Sequence, residues 1–214
     1  DRVVVDNDVN AITFGEARLG AAAGSDHVLA VLSGTGIGGG VVSDGRLVRG
    51  YSGCATEIGH TKVVISDDAR PCHCGKRGCV EAYAGGRNLR ARIREELGGS
   101  LSSRATVLAG SPDKVEVSHI DSAAAEGDPY AVTLYQEIAP LLGLALANAV
   151  TLINPKHLVL GGGVLARTPV LKEQAIASMV IAANQPALDR LEIVDSVLGD
   201  EAGLIGSALL ALEG

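Results

Sequence analysis

A chain of 214 residues, 47% hydrophobic and 20% charged, is long enough to bury a sizeable core and falls in the globular class. Aromatic residues make up only 2%, so that core must be built from Ala, Val, Leu and Ile, and recognition of nucleic acid by base stacking has almost nothing to work with. The formal net charge of -7 repels phosphate backbones and anionic membranes, while leaving room for a nucleotide held through Mg²⁺ and backbone amides.

The opening run "DRVVVDND" reads as a strand already under way rather than as a signal peptide, so the sequence looks like part of a longer polypeptide. Val3 to Val5 forms a β-branched run that ends at Asp6-Asn7-Asp8, and Asn10 to Ala23 then has the character of a packed helix closed by Gly24. His27 to Ser33 reads as a second strand. A glycine loop over 34–40 runs into "VVSDGRLV", two short strands joined at Asp44-Gly45 as a hairpin. His60 to Ile65 is a further strand candidate, followed by a cysteine-rich loop and a helix from about Val80 to Leu97 whose Arg87, Arg90, Arg92 and Arg94 suggest a solvated face.

"GGSLSS" (98–103) is a loop, Ser118 a plausible N-cap, and Asp128-Pro129 the start of a long helix reaching Leu152. The uncharged stretch Ile138 to Pro155 contains Pro140 and Asn148 and is shorter than the roughly 20 apolar residues of a membrane span, so it reads as a buried helix. Strand (157–160), three glycines, helix (about 169–183), strand (191–198) and a helix from Glu201 to Leu212 complete the chain. This alternation makes the fold α/β.

Cys72-x-Cys74 and Cys79, with His60 upstream, supply four ligands, the number a closed tetrahedral Zn²⁺ site needs. Gly75 and Gly78 allow the loop to fold back on itself. A disulfide is the alternative, but Cys72 and Cys74 are too close to pair comfortably and three local cysteines leave one over; Cys54 reads as an ordinary buried small residue. A closed site does no Lewis-acid chemistry, so its work is to pin a loop, and the residues it pins are Glu57 and Glu81.

"DND" at 6–8 lies where a strand gives way to a helix, a place from which side chains enter clefts in α/β folds; capping by Asn7 or Asp8 is the competing explanation. "SGTGIGGG" (33–40) has Gly34, Gly36 and Gly39 at dinucleotide-fingerprint spacing, yet it opens a hairpin rather than a helix, and no Gly-Lys-Ser/Thr follows, so the Rossmann and Walker A readings both fail. A loop in which backbone N–H groups and the Thr35 hydroxyl approach a phosphate remains, because the five glycines exceed what a hairpin needs. "LVLGGGVL" (158–165) admits either approach to a flat ligand such as a purine or close packing of strand on helix.

Taken together, "DNDVN", "LSGTGIGGG", "EIGH", "CHCGKRGCVE" and "LVLGGGV" resemble, in that order, the ROK family of sugar kinases and sugar-responsive repressors, within the actin-like ATPase (ribonuclease H-like) superfamily. The resemblance implies a structural zinc on His60, Cys72, Cys74 and Cys79, and sugar hydroxyls gripped by Asn7, Asp8, Glu57, His60 and Glu81. It makes Asp8 the general base toward a hexose hydroxyl, with glucose the first expectation, attacking the γ-phosphate of Mg-ATP. Gly34, Thr35 and Gly36 would then serve the phosphates, and Gly161, Gly162 and Gly163 the adenosine.

The resemblance further implies a cytoplasmic homodimer with hexose and ATP as partners, no membrane, and nucleic acid only for a repressor. No DxGGT-type phosphate loop precedes Asp1, so the expectation is a C-terminal portion lacking the N-terminal lobe and catalysing poorly alone: residues 1–198 a sugar-binding, zinc-bearing lobe, and 199–214 a terminal helix packing toward that lobe. The effector lobe of a ROK-type repressor and an N-acetylhexosamine kinase are the alternatives.

Overall fold

The computed structural model describes residues 3, 5–99 and 101–213. Among these, five strands form one sheet: β1 (Val28–Ser33), β2 (Ile37–Ser43), β3 (Arg46–Leu47), β4 (His157–Gly161) and β5 (Glu192–Asp195), in the order β3-β2-β1-β4-β5. The first three are antiparallel neighbours, whereas β4 runs parallel to both β1 and β5. The β2–β3 turn is the expected one, with Asp44 and Gly45 both at positive φ (49° and 72°), the geometry a two-residue hairpin favours.

Every residue of β1 is buried because the strand is covered on both faces, and its alternation sorts the core into two layers. Val28 and Ala30 face Ala11, Phe14 and Ala17 of α1 (Asp8–Arg18) and Leu210 of α10 (Ala202–Glu213). Leu29 and Val31 face Leu142 and Leu146 of α6 (Pro129–Ile153) and Met179 of α8 (Pro169–Ala182). The remaining helices are α2 (Glu81–Ala84), α3 (Gly86–Gly98), α4 (Arg104–Ala109), α5 (Val117–Ala125), α7 (Gly162–Leu165) and α9 (Gln185–Leu188). A separate cluster built on Leu89, Ile93, Ile120, Leu134, Tyr135 and Ile138 joins α3, α5 and the first half of α6.

Helix α6 begins where Asp128 accepts a hydrogen bond from the Ala131 N–H at 2.9 Å, with Pro129 in its first turn, and ends at Asn154 in the left-handed region. By length and composition this helix is apolar enough to cross a membrane, yet Ile138, Leu142, Leu146 and Val150 are each exposed by 1% or less inside the fold. It is a core helix, as its sequence suggests.

Several expectations are corrected. Val3 and Val5 lie outside any strand and are exposed, while Val4 falls outside the described residues. The first helix ends at Arg18 rather than near Ala23. His60 to Ile65 is not a strand: Val63 and Val64 donate to the Gly78 carbonyl and Val80 donates to that of Thr61, so the segment spends its backbone groups on the cysteine loop, with only an isolated bridge between Lys62 and Cys79. The helix expected from Val80 breaks at Gly85, whose extended backbone lets Gly86 sit against the Gly34 carbonyl and Val164.

The arginines of α3 are more than a solvated face. Arg92 makes a two-pronged pair with Glu137 at 2.6 and 2.8 Å and also reaches Glu96, and Arg94 holds Glu116 at 2.5 Å; Arg87 alone of the four is exposed. Glu116, not Ser118, caps α5, in a reciprocal arrangement with His119. Cys54 is exposed rather than buried.

Candidate functional site

The excess of glycine in "SGTGIGGG" has a packing cause. A Cβ on Gly38 would come within 2.6 Å of Val9, and one on Gly40 would strike Thr13, so α1 lies directly on the backbone of β2. On the opposite face, a Cβ on Gly39 would meet the Thr56 carbonyl at 2.7 Å and Ile58 at 2.9 Å. At the start of the same strand, Gly36 leaves room for the Glu81 carboxylate, which accepts a hydrogen bond from the Ile37 N–H at 3.0 Å. One glycine strand thus brings together the start of α1 with Asn7 and Asp8, the 56–60 segment with Glu57 and His60, and Glu81.

Each of these residues is held locally. Asn7 caps α1, its Oδ1 accepting from Val9 N at 2.8 Å and Asn10 N at 3.3 Å, so the capping alternative is correct for Asn7, and its amide NH₂ carries no hydrogen bond among the described residues. Asp8 sits in the first turn, one oxygen accepting from Val9 N at 2.8 Å. Glu57 is exposed and follows Thr56, a β-branched residue at φ 66°, a conformation fixed by the Thr56 hydroxyl donating to Gly39 O at 2.9 Å. Neither the Asp8 nor the Glu57 carboxylate shares a hydrogen bond with His60 or Glu81 among the described residues.

Asp6, which sequence reasoning passed over, organises this corner. Its Oδ1 accepts from Asn7 N at 2.9 Å and Asn10 Nδ2 at 2.7 Å, and its Oδ2 from Arg49 Nε at 2.6 Å. Burial raises its pKa, but the bonds from Asn10, Arg49 and the Asn7 backbone outweigh it and hold the carboxyl below its ordinary value. No local spacing signals this role, since Asp6 precedes the N-cap of α1 and Arg49 lies 43 residues away in the chain.

The donor atoms of His60, Cys72, Cys74 and Cys79 all lie within 4.8 Å of one another. Cys72 Sγ stands 3.7 Å from His60 Nδ1, and Cys74 Sγ stands 3.6 Å from Cys79 Sγ. Ligands about 2.3 Å from a tetrahedral ion lie about 3.8 Å apart, so this donor set fits a single ion of the zinc type. Nδ1 is the imidazole nitrogen turned to the cluster, and Nε2 carries no hydrogen bond among the described residues. Gly75 and Gly78 both adopt positive φ, 80° and 76°, which closes the loop.

Burial pushes the Cys72 thiol up to about 12, whereas the Lys76 backbone N–H holds that of Cys74 below its ordinary value. Lys62, also unremarked in the sequence, donates from Nζ to Cys79 Sγ at 2.7 Å, and that bond raises its own pKa. Glu81 connects the cluster to the glycine strand, with Oε1 3.8 Å from Cys72 Sγ and Oε2 on Ile37 N.

The two glycine loops meet at the carboxyl ends of parallel β1 and β4, where Leu32 pairs with Gly161. Gly162, at φ 83°, is pressed on the backbone of Ser33, and Gly161 against Leu32 and Ser196, so both have packing roles, while a Cβ on Gly163 would meet nothing. Gly34 O and Thr35 O accept from Gly86 N and Arg87 N at 3.0 and 2.9 Å, which fixes the β1–β2 turn on the start of α3. Ligands of open α/β sheets bind at such carboxyl ends.

A model of the ROK family matches residues 2–214. The chain belongs to the ROK family. The match runs along nearly the whole chain, which corrects the expectation of membership through a C-terminal portion alone. A glucokinase of Thermotoga maritima is 36% identical over 212 residues, covering 99% of this chain and 66% of that protein. Among solved ROK structures, a glucokinase from Streptomyces griseus in complex with glucose and AMPPNP superposes with a TM-score of 0.83 at 36% identity, covering 99% of this chain and 69% of that one. A ROK family transcriptional regulator, a homolog of the E. coli MLC protein, superposes with a TM-score of 0.82 at 27% identity over 97% of this chain and 51% of its own. The chain therefore spans about two thirds of the length of the Thermotoga glucokinase.

Proposed function

We propose that this ROK protein is an ATP-dependent sugar kinase of the glucokinase type. The observation that carries the reading is the packing on β2 of the elements that bear Asp8, Glu57, His60 and Glu81, beside the paired glycine loops at the ends of β1 and β4. Likeness to glucokinases along 99% of the chain supports it. The sheet order, antiparallel on one side of β1 and parallel on the other, supports assignment to the actin-like ATPases, whose nucleotide lies against strand ends.

In this reading Asp8 takes the proton from the attacking sugar hydroxyl, and Asn7, Glu57, His60 Nε2 and Glu81 orient the ring. Gly34 to Gly36 lie by the phosphates and Gly161 to Gly163 by the adenosine, with Mg²⁺ offsetting the charge. Zinc on His60, Cys72, Cys74 and Cys79 contributes no reaction step. It fixes the loop that carries His60 and Glu81. A homodimer belongs to the same proposal, with exposed Leu152 and Ile153 at the end of α6 as apolar side chains available to it.

ATP-dependent phosphorylation of glucose, followed by ADP release with N-acetylhexosamines in parallel, tests the proposal. Asp8→Asn is expected to lower kcat by about 10²–10⁴-fold with sugar KM within a few-fold. Unchanged turnover in Asp8→Asn would remove the base assignment. The likeness to a ROK regulator favours one alternative, a sugar-sensing role, and sugar binding by the native protein without any ADP release would establish it.

A further inference from the structure

Three thiolates and one neutral imidazole around a divalent ion leave a net charge of about -1 on the centre. Cys79 is fully buried, and a buried charge is costly unless paired. The ammonium of Lys62 lies 2.7 Å from the Cys79 sulfur, within reach of a charge-assisted N–H···S bond, and the backbones of the two residues form an antiparallel bridge that fixes their register. Lys62 is otherwise exposed, so its stem has open solvent available and nothing in the packing forces its head onto the sulfur.

We propose that Lys62 is a positioning residue of the metal centre: its ammonium donates to the Cys79 thiolate, offsets the residual charge of the thiolate set and slows loss of the ion. The inference rests on the zinc reading given above, and it assigns a role outside the four donors. An ammonium in this place makes the thiolate a poorer electron donor without replacing it as a ligand.

The test uses the whole protein as wild type, Lys62→Met and Lys62→Arg, each checked for folding by circular dichroism. Zinc is measured first by elemental analysis, then by competition with a chromophoric chelator. Lys62→Met is expected to hold zinc about 10–100-fold more weakly, the range typical of outer-sphere partners, and Lys62→Arg to recover part of the loss. In the Co²⁺-loaded protein the sulfur-to-metal charge-transfer band should move to longer wavelength in Lys62→Met, a signature that a merely structural lysine would not produce. Zinc affinity within twofold of wild type, with an unmoved cobalt band, overturns the role of Lys62 while leaving the centre intact. A wild type that binds no stoichiometric zinc overturns the metal centre itself, and the Lys62 role with it.

Discussion

At Asp6 a carboxylate does its work two positions away from the proposed base. It joins Asn7, Asn10 and Arg49, three residues that no local pattern would group, and so ties the start of α1 to the segment after β3. Its folded-state pKa lies below its unfolded one, so it contributes stability that is full above the unfolded value of about 3.9 and is lost as pH falls through the folded value. Urea titrations from pH 6 downward should therefore show a decline below about pH 4 that is shallower in Asp6→Asn. Asp6→Asn should also lower stability at neutral pH, because an amide offers Arg49 no charge. A variant with the wild-type acid slope would show that the Arg49 pair contributes nothing to folding.

Strand β2 is the element on which the proposed site is assembled, and its glycines leave little room for a side chain. Gly40→Ala would drive a methyl into Thr13, which is fully buried and bonded to Val9 O at 2.6 Å. A loss of about 1–3 kcal/mol is expected, from overpacking and a displaced α1, read as a lower denaturant midpoint, with sugar affinity falling alongside. Gly34→Ala, where an added Cβ meets nothing, should leave the midpoint unchanged and so separates packing from ligand approach. The same strand shows where sequence reading succeeds. The hairpin at Asp44-Gly45, the start of α6 at Asp128 and the cysteine-histidine cluster are written in short spacings and appear as expected, while at Asn7 the competing capping explanation is the one that holds. The reason for Gly38, Gly39 and Gly40 is not local: it lies in α1 and the 56–58 segment, which only the fold brings to β2. For the same reason "HTKVVI" looks like a strand by composition yet pairs with a metal loop instead.

Over the whole molecule, the proposed metal loop and the sheet should separate in stability. Cys72, Cys79, Ala82 and Tyr83 form their own small cluster, apart from the two layers that flank β1. Removing zinc with a strong chelator should speed amide exchange over residues 60–81 and abolish sugar affinity, while the amides of β1 and β4 stay protected. Intact sugar affinity in chelated protein would show that the loop keeps its shape unaided. On the other side of the sheet, the buried carboxylate of Glu16 accepts from Ser196 Oγ at 2.5 Å and from the N–H groups of Val197 and Leu198 at 3.1 Å. These partners lie about 180 residues apart in the chain, and α10, which follows them, rests on α1 through Gly206 against Ala11. During biosynthesis the helix bearing Asp8 therefore leaves the ribosome about 180 residues ahead of these partners and waits, half-covered, until α10 has been made. A chain interrupted before residue 196 would carry every residue of the proposed site and still lack the braces that hold α1 in place.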